Sequence, residues 1–171
     1  MKNPTLTVMK KIFVTLLAVF CISTLYSQTP RSFYFKEEQS FRDDLPFPGE
    51  LSGHSFGEWH FSHDQLIHYL SQLSEQSERI SMWEYGRTHE NRPLYLLAIT
   101  SEKNQNRLEE IRKQHLDYIN NKEIDNNQKL PLILWLGYSV HGNESSPGNA
   151  SMLTSYYLSA SESQGVKNIL D

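Results

Sequence analysis

Cysteine is nearly missing from this chain: one in 171 residues, at Cys21. So thiol-poor a sequence builds no disulfide framework and no thiolate-held zinc site. Phe20 before it argues against a lipid-modified cysteine, because such sites want a small residue there. Long apolar runs are missing too. The longest, Ile12 to Ile22, falls short of the roughly 20 residues that a permanent membrane-spanning helix needs. Basic charge is in deficit, with 16 Lys and Arg against 20 Asp and Glu and a net charge of −4. That balance argues against nucleic acid and anionic membranes as partners. No internal repeat or low-complexity tract breaks the chain.

What is present begins with a targeting signature. Lys10 and Lys11 form a basic n-region, Ile12 to Ile22 an apolar h-region, and Leu25-Tyr26-Ser27 a cleavage site before Gln28. Residues 1–27 are therefore expected to be a signal peptide, and the protein to be secreted or periplasmic without a permanent membrane anchor. Met9 is a plausible alternative start. Removing the 27-residue leader and its three lysines leaves 144 of the 171 residues, without cysteine, and 13 basic residues against 20 acidic ones. A chain of that size suffices for one hydrophobic core.

Residues 28–55 are expected to be an irregular lead-in, mixing Pro30, Pro46, Pro48, Gly49 and Gly53 with Phe33, Tyr34, Phe35, Phe41 and Phe47. Ser62-His63-Asp64-Gln65 is a capping box opening a helix, with Leu66, Ile67, Leu70 and Leu73 along one side. His60, His63 and His68 share no face well and read as surface residues of that helix. Ile80 to Tyr85 and Pro93 to Thr100 read as two strands of a hairpin closed by Gly86 to Arg92, with His89 in solvent. A helix over Asn104 to Ile119 follows, with Leu108, Ile111, His115 and Tyr118 on its packed side. His115 reads as packing rather than chemistry. Asn120 to Lys129 is a polar connector.

The chemistry concentrates in Pro131-Leu132-Ile133-Leu134-Trp135-Leu136-Gly137-Tyr138-Ser139-Val140-His141-Gly142-Asn143-Glu144. The unalternating apolar run predicts a strand covered on both faces. Ser146 is expected as the N-cap of the next helix and Pro147 as its first residue. That helix is expected to reach Ala160, packing Ala150, Leu153, Tyr156 and Tyr157 on the sheet and turning serines 151, 155, 159 and 161 outward. The preceding strand, helix and this run would form a right-handed βαβ unit. His141 and Glu144 then lie in a loop at the carboxyl end of a buried strand, where open α/β sheets bind ligands. One imidazole and one carboxylate three residues apart supply two of the three protein ligands of a catalytic His2Glu zinc site. The spacing alone is common, and a solvated polar loop is its plain alternative.

These residues also resemble a known family. His141-Gly142-Asn143-Glu144, after the apolar run and before a helix rich in small residues, is similar to the first zinc-binding segment of the carboxypeptidase A-like zinc metallopeptidases. Tyr85-Gly86-Arg87-Thr88-His89-Glu90-Asn91-Arg92-Pro93-Leu94 resembles the family's first hairpin. The likeness runs from about Phe56 to Asp171. It implies an α/β fold: part of a three-layer zinc-carboxypeptidase-like domain over 56–171, with a mixed central sheet between helices on both faces. It implies one Zn2+ on His141, Glu144 and a histidine beyond Asp171. It also implies a peptide or protein substrate cut at its C-terminal bond by metal-activated water. The general base and the groups that bind the substrate's terminal carboxylate are expected beyond Asp171 as well, so no catalytic residue is assigned within the chain. Some members carry arginine where this chain has Asn143, a difference of subfamily. The expectation is an N-terminal half of the catalytic domain, inactive alone. A related zinc amidohydrolase acting on N-acyl amino acids or peptidoglycan peptides, and a non-catalytic remnant or binding protein, stay open beside it.

Overall fold

A computed structural model of the chain describes residues 4–23, 31–35, 40–51, 53–121 and 130–171. The proposed cleavage site and most of the polar connector lie outside them. In order, the described elements are α1 (Pro4–Ser23), α2 (Arg31–Tyr34), α3 (His63–Gln76), β1 (Ile80–Arg87), β2 (Pro93–Ile99), α4 (Glu102–Gln105), α5 (Leu108–Asn121), α6 (Ser146–Ala160) and α7 (Gln164–Leu170). The architecture is mixed α/β, with helices around a two-stranded antiparallel sheet. From Val8 to Leu17, α1 lies exposed to solvent. No described helix is long and apolar enough to cross a membrane.

Local chemistry explains the elements that the sequence announces. Ser62 Oγ accepts from the Gln65 amide at 3.3 Å, and Gln65 Oε1 accepts from the Ser62 amide at 2.9 Å. The capping box is thus closed in both directions, satisfying two donors that the first turn of α3 leaves free. β1 pairs antiparallel with β2 from Ile80 opposite Ile99 to Arg87 opposite Pro93, with a bulge between Glu84 and Gly86. The hairpin turn is held by Thr88, whose amide donates to the Arg92 carbonyl at 2.9 Å and whose hydroxyl accepts from the Arg92 amide at 3.1 Å. Asn91 takes the left-handed conformation, with φ 63°, which asparagine tolerates better than most residues.

The core forms where α3, α6 and the first strand meet. Leu45, Phe56, Tyr69, Leu70, Leu73, Ile80, Met152, Tyr156 and Ala160 make one buried cluster. The lead-in does more than cover the surface. Phe35, Phe41, Phe47 and Phe56 form a set of ring contacts that reaches Tyr156 and Tyr157. The Arg31 guanidinium sits 4.4 Å from the Phe41 ring centroid and 4.7 Å from that of Tyr156, within range of a cation–π attraction. Backbone bonds tie this strap to the far end of α6: the Arg42 amide donates to Ala160 O, and the Glu162 amide to Ser40 O, each at 2.8 Å.

Four expectations are corrected. The run after Pro131 is not a buried strand. Residues 130–139 carry no helix, turn, bend or bridge, and the exposures of Leu132, Ile133, Leu134, Trp135 and Leu136 run from 51% to 93%. Cover on both faces must come from other elements, and the described elements pack on one another instead. The sheet therefore has two antiparallel strands, and the described residues form no βαβ unit. The expected 104–119 helix divides into α4 and α5, because Ser101 caps a separate first turn by accepting from the Asn104 amide. Helix α6 starts one residue earlier than expected, with Ser145 as N-cap, no side-chain cap bond, and Pro147 in its first turn. Finally, Ser151, Ser155, Ser159 and Ser161 are buried while Ala150 is exposed. Ser151 Oγ donates to Gly148 O and Ser159 Oγ to Ser155 O, both at 2.7 Å. Bonded back into their own helix, these small side chains enter the interior without an unsatisfied hydroxyl. α7, capped by Ser163 accepting from the Val166 amide, was not anticipated.

Candidate functional site

The turn that carries His141 and Glu144 is built from both ends. Upstream, His115 on α5 donates from Nε2 to the Pro131 carbonyl at 2.9 Å, fixing where the apolar run begins and which ring nitrogen bears the hydrogen. At Ser139 the backbone turns left-handed, with φ 58°, a conformation uncommon outside glycine and asparagine. Sequence reasoning gave no sign of that position. Downstream, the first turn of α6 is pinned by Asn149, whose Oδ1 accepts from the Phe61 amide at 3.2 Å.

Between these anchors the Glu144 amide donates to the His141 carbonyl at 3.0 Å, closing a tight turn through Gly142 and Asn143. A Cβ built on Gly142 meets nothing within 4 Å, so the turn stands open on that side. His141, Asn143 and Glu144 are all exposed. One turn therefore presents an imidazole and a carboxylate to solvent immediately before a helix.

The donor set is incomplete. Among the described residues no group of three or more His, Cys, Asp or Glu side chains is placed to hold a metal ion. His60 and His68 are exposed, and His63 is half-buried with Nδ1 3.7 Å from the Asp64 carboxylate. His89 lies exposed in the hairpin turn. None of these joins His141 and Glu144 in such a group.

A surface groove of about 550 Å³ is lined by Arg79, Lys103, Lys167 and Asp171, among others, and shares no residue with the turn. Its cations are already engaged. Arg79 and Lys167 both pair with Glu162, at 3.1 and 2.8 Å, and Lys103 lies 3.9 Å from Asp171. The Lys167 hydrogen bond, aided by the nearby Arg79 and Arg42 charges, holds the Glu162 carboxyl below the usual carboxylate range.

Comparison of the chain with protein-family models, curated proteins and solved structures gives no match.

Proposed function

We propose that the chain belongs to a carboxypeptidase A-like zinc metallopeptidase carried across a membrane by its leader. His141 and Glu144 supply two of its zinc ligands. The observation that carries this reading is the solvent-open turn holding one imidazole and one carboxylate at the start of a helix, downstream of an antiparallel hairpin. The three-layer fold of that family is part of the proposal. The described helices and strand pair are compatible with a portion of it.

The donors fit the metal in kind and fall short in number. Neutral imidazole nitrogen and carboxylate oxygen are zinc ligands, and a catalytic site needs a third protein ligand beside its water. Zinc bound there supplies Lewis acidity and a water acidified to a pKa of about 7. The chain's own contribution is to carry those two donors in one backbone-closed turn before α6 and to leave them open to a peptide. No side chain here is assigned to move the water's proton.

The shortfall in donors favours one second reading, a non-catalytic binding protein or remnant. Zinc titration by calorimetry separates the two. The peptidase reading expects one-to-one binding to the wild-type chain that disappears in His141→Ala and in Glu144→Gln. Absence of binding, or binding untouched by either substitution, sinks it. If zinc binds, peptides with free and with blocked C-termini, offered to a longer chain that supplies the third ligand and the general base, distinguish a carboxypeptidase from an amidohydrolase on other amides.

A further inference from the structure

We infer that Asn149 is a positioning residue. Its side chain ties the start of α6 to the segment before α3, and so sets where the His141–Glu144 turn stands. Its bearing on metal binding rests on the peptidase reading above. As a statement about the turn it holds without metal.

The turn has little else to direct it. His141, Asn143 and Glu144 are exposed, and among the described residues their side chains make no hydrogen bond or ion pair. The backbone bond from the Glu144 amide to the His141 carbonyl closes the turn on itself without aiming it. Direction comes from the helix that the turn leads into, and that helix is loosely fastened at its start. Ser145 makes no side-chain cap bond, and Pro147 stands in the first turn with no amide to donate. The backbone bond that opens the helix, from the Asn149 amide to the Ser145 carbonyl, is long at 3.4 Å. From Ser151 and Met152 onward, burial holds the helix. Ahead of them stands the bond from the Phe61 amide to Asn149 Oδ1, at 3.2 Å. Among the described residues it is the one hydrogen bond that links 137–149 to a distant part of the chain.

What that bond reaches is firmly held. Phe61 packs against the buried core, and its ring stacks on that of His54, with centroids 4.6 Å apart at 22°. The next residue, Ser62, closes the capping box of α3. Asn149 thus passes the rigidity of one helix start to another, five positions from Glu144. It uses only its amide oxygen, as an acceptor. Aspartate keeps such an acceptor, and its charge suits the first turn of a helix. Leucine keeps the branched shape and offers none.

The test reads the turn before the metal. In the metal-free 171-residue chain, hydrogen exchange of the Glu144 amide, followed by NMR, reports opening of its bond to His141. Exchange is expected to be about fivefold faster in Asn149→Leu, the loss of one ordinary hydrogen bond, and near wild type in Asn149→Asp. Tyr69→Phe is the control: it lowers stability through the bond to Pro46 and should leave that exchange unchanged. In calorimetry, zinc affinity is expected to fall about tenfold in Asn149→Leu and to persist in Asn149→Asp. Exchange as slow in Asn149→Leu as in wild type overturns the inference. So does equal acceleration in Tyr69→Phe, or zinc affinity untouched by Asn149→Leu. The expected exchange pattern in a chain that binds no zinc upholds Asn149 as the tie of the turn and sinks the peptidase reading instead.

Discussion

Two buried tyrosines show how much a single hydroxyl depends on its surroundings. Tyr69 is 2% exposed, and its hydroxyl donates to the Pro46 carbonyl at 3.0 Å. Burial pushes its pKa far above that of free tyrosine, so it remains a donor at any ordinary pH. Tyr156 is fully buried, and its hydroxyl has no partner among the described residues. Removing a bonded buried hydroxyl costs about 1 kcal/mol and strands its acceptor, whereas removing an unbonded one relieves a desolvation cost of similar size. Tyr69→Phe is therefore expected to lower stability by about 1 kcal/mol, and Tyr156→Phe to leave it unchanged or raise it, in urea unfolding. Equal losses in both variants would show that Tyr156 has a partner after all.

At the scale of elements, the cap of α3 gives the sharpest expectation. Ser62→Ala removes the hydroxyl that accepts from Gln65 and should cost about 1 kcal/mol, with Ser62→Gly milder, read as a shift in thermal midpoint. That helix and the β1–β2 hairpin were legible because their signals are local: a serine three residues before a glutamine, a turn between two β-rich runs. The run at 132–136 was not legible in the same way. Five apolar residues in a row state that the segment avoids water, but the elements that would cover it lie elsewhere in the chain. The serines of α6 misled for a related reason, since a small residue with a self-bonded hydroxyl suits solvent and interior alike. α7 was hidden by Gly165 in its first turn, although Val166, Ile169 and Leu170 follow a helical spacing. At the candidate site, the turn of His141 and Glu144 before a helix was readable from the sequence, while the buried strand expected ahead of it is not there. The bend at Ser139 and the anchors at His115 and Asn149 depend on tertiary contacts.

Across the whole molecule, the junction of sheet and last helices rests on one carboxylate. Arg79, just before β1, donates to the carbonyls of Ser159 and Ser161 at 3.2 and 2.8 Å while pairing with Glu162. Glu162 also holds Lys167 of α7. Because the carboxyl of Glu162 is held below its ordinary value of 4.5, the folded state favours its ionised form. That contribution is complete above the unfolded value and is lost as pH falls through the folded one. Thermal stability is thus expected to drop as pH falls below about 4.5, and the drop should be shallower in Glu162→Gln. An identical acid profile in that variant would place the effect on other carboxylates.

The chain's three tryptophans share one circumstance: Trp59, Trp83 and Trp135 are 68%, 46% and 72% exposed. Their indoles already meet water in the native state, so intrinsic fluorescence will barely register unfolding, and a weak spectral change must not be taken for a loose fold. The same circumstance turns Trp135 into a built-in reporter, since anything that settles over its ring will shift its emission toward the blue.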